Sequence, residues 1–431
     1  MNYKISKYTY MLEYGDGDSI LFNGHSKKFI IVPSRHINNY LYIIRNCNAL
    51  KDAKEAKVSM VLQKLIKMNI LVESTLDERQ QVREEIQAYA DKDEFHTMIL
   101  PTYDCNYKCW YCVQLHHKTE MPPHTVKLVE RHIVKYLESN KIPRYVLYWF
   151  GGEPLLQKDI VGKLTTALGA YCRDNNIEFV GQITTNGALL DIPTIKMLRQ
   201  AQVNSYQITL DGDRRLHDKT KFDGMHESSF NTIAGNVANL LRINTEAIVV
   251  LRYNYTQKNV GHLSVVDELC QYIPDELRQR VRIDLQRVWQ VNGDSVSLSD
   301  LGRLQRKFVD NGFALLTLGM FEPCYVEKHR FEVIYYNGRV DVCDNYAFDK
   351  ARGMITESGL VDWRQAVEIP DLHKVCLDCP YLPVCLEECP AKRLRAKSSG
   401  KEFICTEEIK RHVEFTIKDY CLRIINNKRV K

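Results

Sequence analysis

Apolar and polar positions along this chain change rhythm three times. Over residues 1–75, short apolar runs alternate with turn signals. Tyr8–Tyr14, Ser19–Asn23 and Lys28–Val32 read as strands, separated by Gly15-Asp16-Gly17-Asp18 and Gly24-His25-Ser26. Two helices follow. The second places Val58, Val61, Leu62, Leu65 and Ile66 on one face, and Asn69–Val72 reads as a closing strand. Three strands and then helices outline a small winged-helix-like module. Residues 76–94 are charge-rich and predict a linking helix.

From 95 to 310 the rhythm becomes strand, helix, strand. Thr97–Leu100, Tyr145–Phe150, Phe179–Thr184, Tyr206–Leu210, Ala247–Tyr253 and Val281–Leu285 are apolar strands, with helices such as Val126–Tyr136, Ile192–Ala201 and Phe230–Leu241 between them. Alternation of this kind implies a parallel sheet with right-handed crossovers. Six units fall short of a closed eight-stranded barrel, so the class is α/β with an open, partial (β/α)6 TIM-like barrel. Its chemistry is expected at the C-terminal ends of the strands.

Unusual residues cluster there. The first strand runs into Cys105-x3-Cys109-x2-Cys112, three thiols close enough in sequence to share one metal centre. Four-iron clusters normally take four cysteines, so three leave one iron open for chemistry. A partial zinc site reads the same stretch differently. The second strand ends in Gly151-Gly152-Glu153-Pro154, where glycines admit a ligand to the backbone and a carboxylate can receive an ammonium group. The third ends in Thr185-Asn186-Gly187, the fourth in Leu210-Asp211-Gly212, and the fifth carries Arg252-x-Asn254.

Residues 311–431 change character again. Cys324 and Cys343 flank the hairpin signal Tyr335–Val340, which follows an alternating run, Phe331–Tyr335. Cys376, Cys379, Cys385, Cys389 and Cys405 complete seven cysteines within 82 residues. Ten of the fourteen cysteines thus fall in two patterns, leaving Cys47, Cys172, Cys270 and Cys421 as ordinary buried or half-buried residues. Disulfides are not expected of a cytoplasmic chain. That location is inferred from an N-terminus without a signal-peptide core and from apolar runs too short for the roughly 18 residues of a membrane span. The net charge of +5 over 431 residues is too diffuse to point to nucleic acid.

Taken together, these motifs resemble the radical S-adenosylmethionine (SAM) enzymes that carry a C-terminal SPASM domain. The cysteine triad looks like the superfamily signature, and the glycine, asparagine and aspartate stretches follow in the superfamily's order. The resemblance implies three 4Fe-4S clusters and SAM as cofactors. Cys105, Cys109 and Cys112 would hold the SAM cluster; Cys376, Cys379, Cys385 and Cys405 a fully ligated auxiliary cluster; and Cys324, Cys343 and Cys389 a nearer one. Relatives often add a cysteine upstream of the first, and Ala314–Pro323 has none. Gly151, Gly152 and Glu153 would meet the SAM amino group, Thr185 and Asn186 its ribose or carboxylate, and Trp110 and Tyr111 its adenine. Lys221 stands where relatives often use arginine for the carboxylate, keeping the charge and losing the bidentate fork. Asp344 matches the position of a general base in sulfatase-maturing relatives.

The implied organisation is a leader-peptide-recognition module (1–75), a linker helix (76–94), a radical SAM partial barrel (95–310) and a SPASM domain (311–431). The implied activity is maturation of a ribosomally made precursor peptide. A 5′-deoxyadenosyl radical would abstract hydrogen and install a thioether, carbon–carbon or carbon–oxygen crosslink. A flavodoxin or ferredoxin would donate electrons, and neither membrane nor nucleic acid would take part. The alternatives are an anaerobic sulfatase-maturing, formylglycine-generating enzyme and, outside catalysis, a zinc-stapled binding scaffold.

Overall fold

The computed structural model describes residues 2–428 apart from 16, 51–55, 115, 223–226, 289, 292–295, 345–351, 365–375, 387–388 and 391–404. Trp289 and residues 391–404, between Cys389 and Cys405, therefore lie outside the described residues. The chain divides into two compact units, neither continuous in sequence. One contains Met1–Asp91, Leu318–Lys328 and Ile369–Cys421; the other contains Lys92–Thr317, His329–Glu368 and Leu422–Lys431.

In the first unit, β1 (Tyr3–Ile5) pairs antiparallel with β5 (Leu71–Glu73), a pairing that the sequence reading did not include. β2 (Thr9–Tyr14), β3 (Asp18–Asn23) and β4 (Lys28–Val32) form an antiparallel sheet in that order. One face of it packs on the helices Ile37–Arg45 and Ala56–Lys67 through Leu21, Ile30, Val32, Ile43, Leu62 and Leu65. The other face carries Tyr10, Leu12, Ile20 and Phe22. These pack on Phe321, Val413, Ile417 and Cys421, the last three from the helix Glu407–Asn427. The N-terminal residues thus have a core of their own on one face of the sheet and share a second core on the other. Alternation puts large apolar side chains on both faces of this small sheet, and each face needs cover. The helix Glu78–Ala90 starts at Asp77, whose carboxylate caps it by accepting from Arg79 N and Gln80 N. Its Glu78 accepts from Ser6 Oγ and Lys7 N, which holds the helix to the N-terminal strands.

The second unit is built on an eleven-stranded, mostly parallel sheet. Seven parallel strands lie side by side in chain order: β6 (Glu94–Leu100), β7 (Arg144–Trp149), β8 (Glu178–Thr185), β9 (Val203–Leu210), β10 (Ile248–Tyr255), β11 (Val281–Arg287) and the two-residue β12 (Ala314–Leu315). On the far side of β6 lies β13 (Phe331–Tyr335), also parallel, followed antiparallel by β14 (Arg339–Asp341), β15 (Gly353–Ile355) and β16 (Val361–Trp363). The six strands expected from apolar runs are all present, and β12 and β13 extend the sheet at either side. The expected hairpin joins β13 to β14, turning at Gly338 with φ +81°. β13 lies between β6 and β14 and is buried at all five positions rather than alternating.

Helices cover the crossovers. Pro123–Asn140 begins at a proline and stops at left-handed Lys141, and Ile192–Gln200 is capped by Asp191. Beneath the sheet, buried Arg423 donates to the carbonyls of Leu316 and Leu285 and lies 3.6 Å from Asp284. Among the described residues no helix is long and apolar enough to cross a membrane.

Candidate active site

The parallel strands of the second unit end on one side, and there β6 runs into the triad loop. Thr102 Oγ1 donates to Thr119 O, Tyr103 N donates to Thr119 Oγ1 at 2.7 Å, and Asp104 N donates to Thr102 Oγ1 at 2.9 Å. These bonds close the loop's base without using the cysteines. Cys105 Sγ accepts from Tyr107 N at 3.4 Å, and Cys112 N donates to Cys109 O at 3.0 Å. Burial pushes the Cys105 thiol up to about 12, and it raises Cys109 as well; a bound metal cation reverses that penalty.

Gly151 and Gly152 press against this loop. Gly152 N donates to Thr102 O at 3.1 Å, and Glu153 N donates to Asp104 O at 2.8 Å. A Cβ on Gly152 would fall on the carbonyl of Asp104, and Gly151 has φ +128° with Thr102 O beside it. The glycines are therefore demanded first by the chain's own triad loop, although both also line the cavity described below. Glu153 is fully buried. Its Oε1 accepts from Leu155 N (3.0 Å) and Thr185 Oγ1 (2.7 Å), and its Oε2 accepts from Asn186 N (2.7 Å). Burial raises its pKa against these donors. The carboxylate ties the end of β7 to the end of β8 and is not among the cavity-lining residues. Asn186 then reaches back, donating to Asn106 Oδ1 at 2.8 Å, with Cys105 Sγ 3.9 Å away.

A second knot forms at the end of β9. Asp211 Oδ1 accepts from Tyr111 Oη at 2.7 Å and from Asn254 Nδ2 at 3.1 Å. Its other oxygen lies 3.4 Å from the Lys221 ammonium, which also donates to Thr209 O at 2.8 Å. Lys221 and Asp211 are both buried, so each compensates the other's charge. His217 Nδ1 accepts from Asp211 N, and burial holds this histidine neutral, its pKa lowered to about 3.

Between these knots lies a cavity of about 300 Å³. Cys105, Cys109, Cys112, Tyr111, Gly151, Gly152, Thr185, Asn186 and Lys221 all line it. Trp110 does not; it is 59% exposed and packs edge-on against Tyr111. The sequence reading passed over Gln207 and Thr209 of β9, Gln286 of β11 and Gln290, which also line the cavity. A signal existed for them. In β9 these polar residues alternate with fully buried Tyr206, Ile208 and Leu210, whereas a strand covered on both faces by apolar layers reads as a continuous apolar run.

The donor set suits a four-iron cluster with a chelating ligand. Three thiols open into the cavity, and Lys221 and Arg252 bring positive charge to its wall for a carboxylate. Asp344 sits beside this site: Gln114, a lining residue, approaches its carbonyl and its carboxylate, each at 3.4 Å.

The remaining cysteines are described unit by unit. In the first unit, Cys379 N donates to Cys376 O at 3.0 Å, and Cys385 N donates to Tyr381 O at 2.8 Å, so the three cysteines lie in one tightly wound segment. Thiols this close along the chain have the chemistry to share a cluster. Cys324 and Cys389 belong to the first unit, and Cys343, buried, belongs to the second. Among the described residues no three His, Cys, Asp or Glu side chains close on a single ion; a cluster asks something different, since its thiolates bind separate irons. Cys47, Cys172 and Cys421 are buried and Cys270 half-buried, as expected of packing residues.

A family model described as the radical SAM superfamily matches residues 99–253, from β6 to β10. The serine-type anaerobic sulfatase-maturating enzyme of Bacteroides thetaiotaomicron is 23% identical over 347 residues, covering 69% of this chain and 82% of that protein. The Fe-coproporphyrin III synthase of Methanosarcina barkeri is 29% identical over 171 residues, 39% of each chain. Among solved structures, native anSMEcpe with bound AdoMet and Cp18Cys peptide aligns with a TM-score of 0.53 at 18% identity, over 78% of this chain and all of that one. SuiB of Streptococcus suis bound to the precursor peptide SuiA aligns with a TM-score of 0.50 at 18% identity, over 91% of this chain and 97% of that one. Likeness at these identities is likeness of fold. The matched sequence and the open, mostly parallel sheet together show that this chain carries a radical SAM domain and resembles the maturases of the radical SAM/SPASM type.

Proposed function

We propose that the protein is a radical SAM peptide maturase that modifies a ribosomally made precursor peptide. The observation that carries this reading is the cavity at the strand ends, lined by all three triad cysteines together with Lys221 and Arg252. Bound there, a four-iron cluster with SAM would supply reductive cleavage and hydrogen-atom abstraction. The chain's own residues do the positioning. Cys105, Cys109 and Cys112 would hold three irons, Lys221 and Arg252 would face a carboxylate, and Thr185 and Asn186 would shape the wall beside it. Tyr111 fixes the loop through Asp211. Gln207, Thr209 and Gln286 would line the rest of the ligand's site, and Asp344, beside Gln114, would take a proton from substrate.

Seven further cysteines support two auxiliary clusters, one on Cys376, Cys379, Cys385 and Cys405 and one on Cys324, Cys343 and Cys389. The antiparallel sheet β2–β3–β4 supports a winged-helix-like role in gripping a leader peptide by strand addition. The breadth of the likeness to SuiB, whose structure holds a precursor peptide, favours a peptide substrate. The sulfatase-maturing reading rests on the Bacteroides relative and on the anSMEcpe fold.

Anaerobic incubation with SAM, reductant and each substrate type separates the two. Loss of a hydrogen pair per crosslink from a precursor peptide supports the proposal. Conversion of a sulfatase-derived serine or cysteine peptide to formylglycine, with precursor peptides untouched, supports the other reading.

A further inference from the structure

Two tyrosine hydroxyls of the N-terminal strands are buried without a hydrogen-bond partner among the described residues: Tyr8, fully inaccessible, and Tyr10, 9% exposed. Tyr8 lies in the turn that leads into β2, and Tyr10 is the second residue of that strand. Both belong to core clusters that include residues of one cysteine segment. Tyr8 packs in a cluster with Leu382, Cys376, Leu377 and Leu386. The Tyr10 ring lies 4.9 Å from that of Tyr381, between Cys379 and Cys385 in sequence, and its core cluster includes Cys385.

The surroundings leave little room for another partner. A Cβ at Gly24 would come 2.5 Å from the Tyr10 hydroxyl and 3.4 Å from Val384. Lys27, close by, is already committed, donating to the carbonyls of Gly24 and Pro383. Isolated buried hydroxyls are costly and rare, and two packed beside one cysteine segment call for acceptors. Sulfur is an acceptor, and cluster sulfurs are acceptors whose hydrogen bonds help set the reduction potential.

We propose that Tyr8 and Tyr10 donate hydrogen bonds to sulfur atoms of the cluster held by Cys376, Cys379, Cys385 and Cys405, so that the N-terminal strands form part of that cluster's pocket. The proposal rests on the reading of those four cysteines as one ligand set. It makes the two tyrosines positioning residues: they touch the cluster and leave the substrate alone. A donor aimed at sulfur favours the more negatively charged, reduced cluster, so losing it lowers the potential.

The test uses full-length, anaerobically reconstituted protein in which Cys105, Cys109 and Cys112 are replaced by alanine, leaving only auxiliary signals. The relevant paramagnetic signal is the one that Cys376→Ala abolishes. Tyr8→Phe and Tyr10→Phe should each move its midpoint potential to more negative values, and the double variant further, with iron content unchanged. An unmoved midpoint in the double variant overturns the proposal. Absence of any signal sensitive to Cys376→Ala in the parent protein overturns the ligand set as well. A second readout is thermal melting. Tyr10→Phe should raise the melting temperature of the metal-free chain, which loses an unpaired hydroxyl, and lower that of the iron-loaded chain; shifts of the same sign contradict the proposal.

Discussion

Tyr111 donates its hydroxyl to Asp211 at 2.7 Å, joining the triad loop to the end of β9 across 100 residues of sequence. The acceptor is a carboxylate that also faces Lys221, so the loop carrying three cysteines is held by a buried charge network rather than by packing alone. A hydrogen bond to a charged group contributes about 1.5–3 kcal/mol. Tyr111→Phe should therefore weaken SAM binding by roughly tenfold or more, while leaving the iron content intact. Equilibrium dialysis of labelled SAM against reconstituted protein measures this, and an unchanged dissociation constant would remove Tyr111 from the positioning role.

Gly152→Ala tests the contact between the glycine pair and the triad loop. The added methyl would collide with the Asp104 carbonyl, and backbone cannot yield as a flexible side chain does. The variant should lose roughly four irons per chain relative to wild type, those of the triad, and keep its auxiliary iron. Iron analysis after reconstitution decides the matter; full iron loading would mean that the loop tolerates displacement.

Away from the site, His132 is buried between Glu332 Oε2 (2.7 Å) and Gly359 O (3.0 Å), so both ring nitrogens have acceptors. Burial opposes its charge, but the Glu332 carboxylate and the Gly359 carbonyl prevail and raise its pKa above the ordinary 6.5. The folded chain then binds this proton more tightly than the unfolded chain. The stabilisation is complete below about pH 6.5 and fades as pH rises through the raised folded value. Glu332→Ala should cost about 3 kcal/mol near pH 6, where it strands a buried imidazolium, and clearly less near pH 9. Denaturant titrations at the two pH values check this; an equal cost at both would contradict the charged pair.

Removing residues 1–75 should do more than abolish peptide recognition. Tyr10, Leu12, Ile20 and Phe22 share a core with Phe321, Val413 and Ile417, and each large apolar side chain contributes about 1.5–3 kcal/mol through burial. The truncated chain should lose iron from the Cys376–Cys405 segment and bind a hydrophobic dye. A truncated protein with full iron and unchanged melting would show that the N-terminal strands are dispensable for that core.

Much of this was legible in the residues. The parallel strands announced themselves because apolar layers cover them, and the triad because three thiols stand at fixed spacing after the first. Glu153 was harder. A carboxylate after two glycines reads as a ligand contact, but three local donors, Leu155 N, Thr185 Oγ1 and Asn186 N, take it up inside the fold. The shared core between β2–β3 and the helix Glu407–Asn427 left no local trace. Its halves lie some 400 residues apart, and each reads as an ordinary amphipathic element.

The central claim is that Cys105, Cys109 and Cys112 form the centre at which SAM is cleaved. Its most direct test is the yield of 5′-deoxyadenosine from anaerobically reconstituted protein given SAM and dithionite, compared with Cys109→Ala prepared in the same way. Wild-type protein should be brown and iron-loaded and release 5′-deoxyadenosine, and the variant should release none while retaining its auxiliary iron. A wild-type protein that takes up zinc and no iron, or a Cys109→Ala variant that cleaves SAM as fast as wild type, would contradict it.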